Sequence, residues 1–544
     1  MEKGRVSLVL EAMAASQGQK PIWIAEDKQT SYAEFAELMR DLALSLLEAG
    51  ITKGDRVGIW ISNRPEFTLV EMAANYIGAI GVPISTRYRS EELEYILGNA
   101  GIKILFMMDN LVNIDFFKVL GDILPELGSL SGKELSFGAF PELKRIVSLR
   151  TAEFPIPTGI IDFEDLIQSG HESGRRDTLN KARDSVEDTE LSYIQYTSGS
   201  TGRPKGAAYT HAQVLTSMTV QGERWQLMPE DRMLIVAPFY HGLGHMAGPP
   251  LGSCFGCSII PLEIFDAEKA LEYIGKYRCT TLAGAPTVFQ MMIEHPHFSK
   301  ADLSSLRAAL VTAAPSPEGL KSEIKEKFGL KGLMTGYGAT ETCGGCTQSK
   351  IGDPLEIVEQ TIGFPLRTYE VKIKEPSTGE EMPPGSAGEL CARGPCIIRG
   401  YFPEDETKAP VVDQEGWYHS GDLALEDERG YFKIIGRIKE LIITAGNNVY
   451  PSEVENMLLK HQAVKEVQVI GVPDRLKGEV VMAYIICHEG QACSESNIKS
   501  FCQARAANYK VPQFVRFVDT FPVSSTGKIL KRQLQEMAVK ELTA

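Results

Sequence analysis

The sequence predicts an α/β protein: a large N-terminal domain with mixed, mostly parallel sheets and a small β-rich subdomain, followed by a small α+β C-terminal domain. Three observations carry this reading. Strand and helix patterns alternate over residues 31–106, the mark of mostly parallel sheets. From Gly388 the texture changes to short alternating strands separated by turn signals. At Pro451-Ser452-Glu453-Val454-Glu455 a helix start with proline, a capping hydroxyl and early acids opens a new unit.

Each element has its own signal. Ser31-Tyr32-Ala33-Glu34 has capping-box spacing, and Phe35, Leu38, Met39, Leu42 and Leu46 recur at helical intervals until Gly50. Residues 56–61 read as a strand, Pro65 opens a second apolar-periodic helix, and residues 81–84 and 102–106 read as strands around a helix over 91–97. Between 107 and 190 the pattern weakens, and no site is expected there. Residues 191–196 and 233–237 read as buried strands, and 310–311 as a strand that ends in a small-residue turn. Beyond Gly388, strands are expected over 389–394, 417–422, 431–437, 467–471 and 480–486, with a helix over 496–507.

At 544 residues the chain is too long for a single core. Its formal charge of −15, from 56 Lys and Arg against 71 Asp and Glu, argues against nucleic acid or an anionic membrane held by a general basic field. Anionic ligands must therefore be held locally. The ten cysteines have no framework spacing; Cys254 and Cys257 form a Cys-x-x-Cys that reads as buried packing in a reduced, cytoplasmic protein. Residues 233–262 lack Asp, Glu, Lys and Arg, but Pro238, Pro249, Pro250 and several glycines break the run, so a buried segment rather than a membrane span is expected. No secretory signal is read at the N-terminus.

The richest stretch is Tyr196-Thr197-Ser198-Gly199-Ser200-Thr201-Gly202-Arg203-Pro204-Lys205-Gly206. Glycines let backbone N–H groups approach an anion, hydroxyls add donors, and Arg203 and Lys205 supply charge, so this is a phosphate-binding loop. It is not a Walker loop, because Gly-Lys-Ser/Thr is missing at the required offset. A second tempting match, Gly242-Leu243-Gly244-His245-Met246-Ala247 with Glu263 downstream, fits a dinucleotide fingerprint, but Pro249 and Pro250 would interrupt the helix it needs. His245 alone reads as a core histidine. Thr312-Ala313-Ala314-Pro315 forms a small-residue turn against which a planar ligand could lie. Gly336-Tyr337-Gly338-Ala339-Thr340-Glu341 places a ring, a hydroxyl and a carboxylate on one short loop that could stack a base and hold a metal.

As a set these motifs make the chain resemble the adenylate-forming superfamily, which includes acyl-CoA synthetases, coumarate-type ligases, luciferases and peptide-synthetase adenylation domains. The resemblance covers 196–206, 238–241, 337–341, 418–422, 436–451 and 522–528, in the family's order. It implies a two-step reaction: a carboxylate attacks the α-phosphate of ATP, pyrophosphate leaves, and the thiol of CoA then displaces AMP. An ionised carboxylate needs no general base, only orientation and charge neutralisation.

By the same resemblance Thr197, Ser198, Gly199, Ser200, Thr201, Gly202 and Lys205 would hold the phosphates, and Thr201 and Glu341 would organise Mg²⁺. Thr312, Ala313, Ala314 and Pro315, with Tyr337, Gly338, Ala339 and Thr340, would line the adenine; Asp422 and Arg437 would grip the ribose. His241 would flank the acyl carboxylate and Lys528 would act in adenylation. Lys439 takes the hinge position, Gly446 the pantetheine tunnel, and the C-terminal domain is expected to be mobile. Implied boundaries are 1–437 for the adenylation domain, with its β-rich subdomain at about 365–437, 438–440 for the hinge and 441–544 for the lid. Thr312 and Ser316 stand where related enzymes often carry Gly and Leu, and Ser420 replaces a more usual threonine.

The function expected is that of an ATP-dependent acyl-CoA ligase for a hydrophobic acid, fatty or aryl, because Gly242, Leu243, Gly244 and Ala247 offer an apolar, low-bulk wall with no acidic partner for an amino group. Its partners would be that acid, ATP and CoA, with a homodimer left open. The alternatives are acyl transfer to a carrier-protein phosphopantetheine, a luciferase-like oxidation, and a catalytically inactive nucleotide-binding homologue.

Overall fold

The Ser31 hydroxyl accepts the Glu34 N–H at 3.2 Å while the Glu34 carboxylate accepts the Ser31 N–H at 2.8 Å, so the helix Tyr32–Glu48 begins where its capping box lies. This is a computed structural model, and it describes residues 4–127, 135, 137–151, 155–197, 204–403, 410–491, 493–523 and 529–543. The helices Pro65–Tyr76 and Ser90–Ala100 and the strands Arg56–Trp60, Ile80–Pro83 and Ile102–Met108 follow at the expected places. Among the described residues no helix is long and apolar enough to cross a membrane. The uncharged run instead folds into Arg232–Ile235, the short helices Gly242–Met246 and Pro249–Cys254, and Ser258–Pro261. Pro249 stops the first of these helices from continuing and occupies the first turn of the next.

The chain divides into two compact units, residues 1–371 with 392–418, and residues 372–391 with 419–544. The first contains a nine-stranded sheet in the order Phe364–Pro365, Gly344–Gln348, Gly332–Ala339, Ala308–Val311, Thr281–Gly284, Arg232–Ile235, Ser258–Pro261, Pro21–Ala25, Lys28–Ser31. From Gly332–Ala339 to Pro21–Ala25 its strands are parallel. Leu234, Ile260, Leu282, Ala309 and Leu333 pack in one cluster with Ile274, Phe289 and Ile324 of the covering helices, as a parallel sheet requires. An eight-stranded sheet runs Tyr401–Phe402, Lys205–Thr210, Leu191–Thr197, Ile80–Pro83, Arg56–Trp60, Ile102–Met108, Arg145–Leu149, Ile161–Asp162.

The second unit is built on a four-stranded sheet, Glu370–Lys374, Gly388–Arg393, Tyr418–Glu426 and Phe432–Arg437, and a five-stranded one that includes Val464–Asp474 and Gly478–Cys487. In the latter, alternate residues serve opposite faces. Val467, Val469, Val481 and Ala483 pack with Val454, Leu458 and Ile498, whereas Ile470, Val472, Val480 and Met482 pack with Leu534 and Ala538. Helices on both faces make this the α+β unit that the sequence predicts.

Candidate active site

Because Arg232–Ile235, Thr281–Gly284, Ala308–Val311 and Gly332–Ala339 are parallel neighbours, their carboxyl ends lie along one edge of the sheet, where open α/β sheets bind ligands. The segments 238–241, 312–315 and 340–341 leave from that edge. Thr312 Oγ1 donates to the Gly336 carbonyl at 2.7 Å, tying two of the strand ends together. Ala313 follows with φ of 70°, a left-handed conformation that a residue with a Cβ adopts at a cost of order 1–3 kcal/mol. Ala313, Ala314 and Pro315 are exposed.

The stretch 336–341 corrects the reading of a loop: Gly336 to Ala339 end the strand Gly332–Ala339, and Thr340–Thr342 form one turn of 3-10 helix. Its loop-like composition has a different cause. A Cβ on Gly338 would lie 2.0 Å from the Gly344 carbonyl oxygen, so the glycine is required by close approach of the antiparallel strand Gly344–Gln348. Tyr209 and Tyr369 donate to the carbonyls of Thr340 and Thr342 at 2.7 and 2.6 Å, and the Ile398 N–H donates to that of Glu341 at 3.0 Å. The backbone that carries Glu341 is thus held from three sides.

Tyr401, which sequence reasoning missed, joins two of the expected site elements. Its strand pairs antiparallel with Lys205–Thr210, Ala207 opposite Tyr401, and this puts the Lys205 ammonium 5.1 Å from the centroid of its ring. Its hydroxyl donates to Glu341 Oε1 at 2.5 Å, and the Tyr418 hydroxyl reaches Oε2 at 3.4 Å. Burial, then the Glu341 charge, pushes the Tyr401 hydroxyl well above the ordinary phenol range, so it stays a donor. Ser198, Gly199, Ser200, Thr201, Gly202 and Arg203 lie outside the described residues, as does Lys528. Thr197 and Lys205 are paired strand residues.

Asn63 was also missed. Its amide donates to the carbonyls of Ala237 and Leu262 at 2.9 and 3.1 Å and accepts the Phe239 N–H at 2.7 Å, fixing the segment that ends at His241. His241 caps the helix Gly242–Met246, its Nδ1 accepting the Leu243 N–H at 3.4 Å. His245 is a core histidine as expected, stacked 4.0 Å from Tyr193 and 2.7 Å from Glu71, both buried. Glu263 bonds Ser62 and Arg64, so the dinucleotide alternative finds no support there.

In the second unit, Asp422 and Arg437 are register partners joined at 3.0 Å, Asp422 buried and Arg437 exposed. Lys439 is exposed on the 3-10 turn Ile438–Glu440, whose neighbour Glu440 lies 3.2 Å from Lys531. Ala445 and Gly446, with φ of 49° and 79°, make the hairpin turn between Ile442–Thr444 and Asn447–Val449, a geometry that favours glycine. Cys254 and Cys257 are buried packing as expected, and burial pushes both thiols up to about 12. A second Cys-x-x-Cys, Cys343 and Cys346, is also buried and went unread in the sequence.

The description "AMP-binding enzyme" belongs to the family model that matches residues 10–402, and its C-terminal-domain counterpart matches 453–528. The chain belongs to this family. Among relatives, medium-chain acyl-CoA ligase ACSF2 of Homo sapiens is 33% identical over 522 residues, covering 95% of this chain and 84% of that protein. A methyl-dioxo-octahydroindenyl-propanoyl:CoA ligase of Rhodococcus jostii (strain RHA1) is 34% identical over 511 residues, covering 94% of each. The structure of ATP-bound MatB from Rhodopseudomonas palustris superposes with a TM-score of 0.82 at 26% identity, covering 98% of this chain and 99% of that one. The anthranilate CoA ligase AuaEII with anthranoyl-AMP shares the fold, at a TM-score of 0.85 and 24% identity over 100% and 99% of the two chains. This member of the AMP-binding enzymes is an ATP-dependent, AMP-forming acid–thiol ligase that makes acyl-CoA.

Proposed function

We propose that this ligase activates a hydrophobic monocarboxylic acid, fatty or aryl, with Mg²⁺ as the metal of ATP. The observation that carries the nucleotide half of this reading is Tyr401, whose ring faces Lys205 at the end of the phosphate loop while its hydroxyl holds Glu341. Glu341 is half-buried and its two carboxylate oxygens accept the Tyr401 and Tyr418 hydroxyls. A hard, half-buried carboxylate fixed by two tyrosine hydroxyls fits Mg²⁺, which Thr201 and Glu341 would hold and which, when bound, would neutralise charge on the β- and γ-phosphates.

In this reading Thr312, Ala313, Ala314, Pro315 and Tyr337 line the adenine, with Gly338, Ala339 and Thr340 completing that wall. Asp422 and Arg437 take the ribose, His241 flanks the acyl carboxylate, Lys439 is the hinge residue and Gly446 borders the pantetheine path. Lys528 bridges the attacking carboxylate and the α-phosphate as negative charge accumulates. The apolar acid is supported by Gly242, Leu243, Gly244 and Ala247 after His241, and by the medium-chain acyl-CoA ligase among the relatives. Fatty acid metabolism and a cytoplasmic location belong to the same reading. Acid-dependent pyrophosphate release over a panel of acids, with and without CoA, tests it: preference for a charged or amino acid would overturn the substrate class.

A further inference from the structure

Asp422 does not stand alone in its strand. Glu389 lies on the neighbouring strand Gly388–Arg393, only 8% exposed, and uses both carboxylate oxygens on the segment that precedes Asp422. Oε1 accepts the Gly421 N–H at 2.8 Å and Oε2 accepts from His419 Nδ1 at 2.8 Å. Between those anchors the Ser420 hydroxyl donates to the Leu390 carbonyl at 2.6 Å and accepts the Asp422 N–H at 3.0 Å. Three successive residues, 419 to 421, are therefore pinned to one strand, and the next carries the carboxylate that meets Arg437 at 3.0 Å.

We propose that Glu389 is a positioning residue for ATP, acting through the 419–421 segment to hold the Asp422 carboxylate where it receives the ribose hydroxyls. This rests on the assignment of Asp422 to the ribose made above. The physical basis is that a carboxylate binding two hydroxyls must be aimed as well as charged. The Arg437 ion pair alone does not aim it, because that guanidinium is 63% exposed and restrains little. A buried carboxylate with two charge-assisted bonds is a stiff brace. A side chain at 389 without an acceptor frees the backbone N–H of Gly421, and the strand end that bears Asp422 can then shift. A misplacement of about 1 Å costs on the order of a hundredfold in a positioned site.

Cys391 also reaches His419 Nδ1, at 3.4 Å, and the ligand atoms of Glu389, Cys391 and His419 lie within 4.8 Å of one another. The trio works as a hydrogen-bonded brace: each Glu389 oxygen already has a donor, one of them a backbone N–H that a metal ion would not replace. Glu389 and Cys391 share a strand face by their spacing of two, and His419 comes from the adjacent strand, so the fold itself gathers them.

The test measures acid-dependent pyrophosphate release with ATP and with 2′,3′-dideoxy-ATP, which lacks both hydroxyls. E389A is expected to lower kcat/KM for ATP by about 10- to 100-fold, the scale of hydrogen bonds to a charged group, through KM for ATP and with KM for the acid unchanged. With the dideoxy nucleotide, E389A and the parent should match within about threefold, since no bond to Asp422 is left to lose. D422N should show the same pattern, and the double variant should be no worse than D422N. Equal losses on both nucleotides for D422N would defeat the ribose assignment itself. A ribose-dependent loss in D422N without one in E389A would overturn the positioning role alone. E389Q, which keeps the volume and one acceptor, should fall between, and carries the test if E389A does not fold. Should a zinc-selective chelator, with Mg²⁺ retained, give the parent the E389A pattern, the cluster is a metal site and the proposal falls.

Discussion

The Tyr401 hydroxyl donates to Glu341 Oε1 at 2.5 Å across sixty positions of sequence, while the other face of the residue's role, its ring, lies 5.1 Å from the Lys205 ammonium. One aromatic side chain thus couples the strand Lys205–Thr210 to the carboxylate proposed for Mg²⁺. Tyr401→Phe keeps the ring over Lys205 and removes only the hydroxyl. Loss of one hydrogen bond to a charged group should raise the half-saturating Mg²⁺ concentration and lower adenylation by about tenfold. Glu341→Gln should do worse in the same assay, because it removes the charge as well as the orientation. Mg²⁺ titrations of pyrophosphate release on both variants check this; an unchanged Mg²⁺ dependence in Glu341→Gln would remove Glu341 from the metal site.

His211 makes a separate, pH-dependent prediction. It stands at the first position of the helix His211–Arg224, 2% exposed, its Nε2 buried without a partner among the described residues. Burial, then the Arg5 charge, lowers its pKa from 6.5 to about 3, and a helix N-terminus disfavours a cation in the same direction. The unfolded chain therefore binds one proton more than the folded chain between these values, so stability falls as pH falls below 6.5, by about 1.4 kcal/mol per pH unit. His211→Gln lacks this proton. Between pH 7.5 and 5 its thermal midpoint should drop less than the parent's, by an amount equivalent to about 2 kcal/mol. Parallel pH profiles would show that His211 titrates normally.

Asn63 predicts an effect on the acid. Asn63→Ala would strand the Phe239 N–H and the carbonyls of Ala237 and Leu262 in a buried setting, at about 1–3 kcal/mol for each group left unsatisfied. The segment it braces ends at His241, so KM for the acid should rise while KM for ATP stays. A loss confined to thermal stability, with both constants unchanged, would make Asn63 purely structural.

What could be read from the sequence follows from how local each signal is. The Ser31–Glu34 capping box, the strand Leu191–Thr197 and the proline that opens Pro451–Leu458 are set by residues within a few positions of each other, and each appears where its pattern puts it. The small-residue turn after Val311 was legible for the same reason, though not the left-handed backbone at Ala313. Residues 336–341 were misread because the glycines that suggest a loop serve strand contact instead. Tyr401, Asn63 and Glu389 were invisible for a different reason: each acts on a partner from a distant stretch, and nothing around a lone Tyr, Asn or Glu marks which backbone it will meet.

Lys528 yields the last prediction. It closes Ser524-Ser525-Thr526-Gly527-Lys528, outside the described residues; Val523 and Ile529, on either side, pair as an antiparallel bridge, and the helix Lys531–Thr543 follows. Lys531 is already committed, bonded to Glu455 at 2.8 Å and to Glu440 at 3.2 Å. Burial lowers its pKa and the two carboxylates raise it further, so it is charged and tied within its own unit. Of these two lysines, Lys528 is the one proposed for the developing charge between carboxylate and α-phosphate, with its ammonium acting, in that proposal, in the adenylation step alone. Lys528→Ala should therefore lower pyrophosphate release by at least about a hundredfold, the scale of losing one preorganised donor in a water-poor site. Supplied with synthetic acyl-adenylate and CoA, the same variant should form thioester at a near-parental rate. Equal losses in the two half-reactions, or survival of adenylation, would remove both the assignment and the alternation of the C-terminal domain between the two steps.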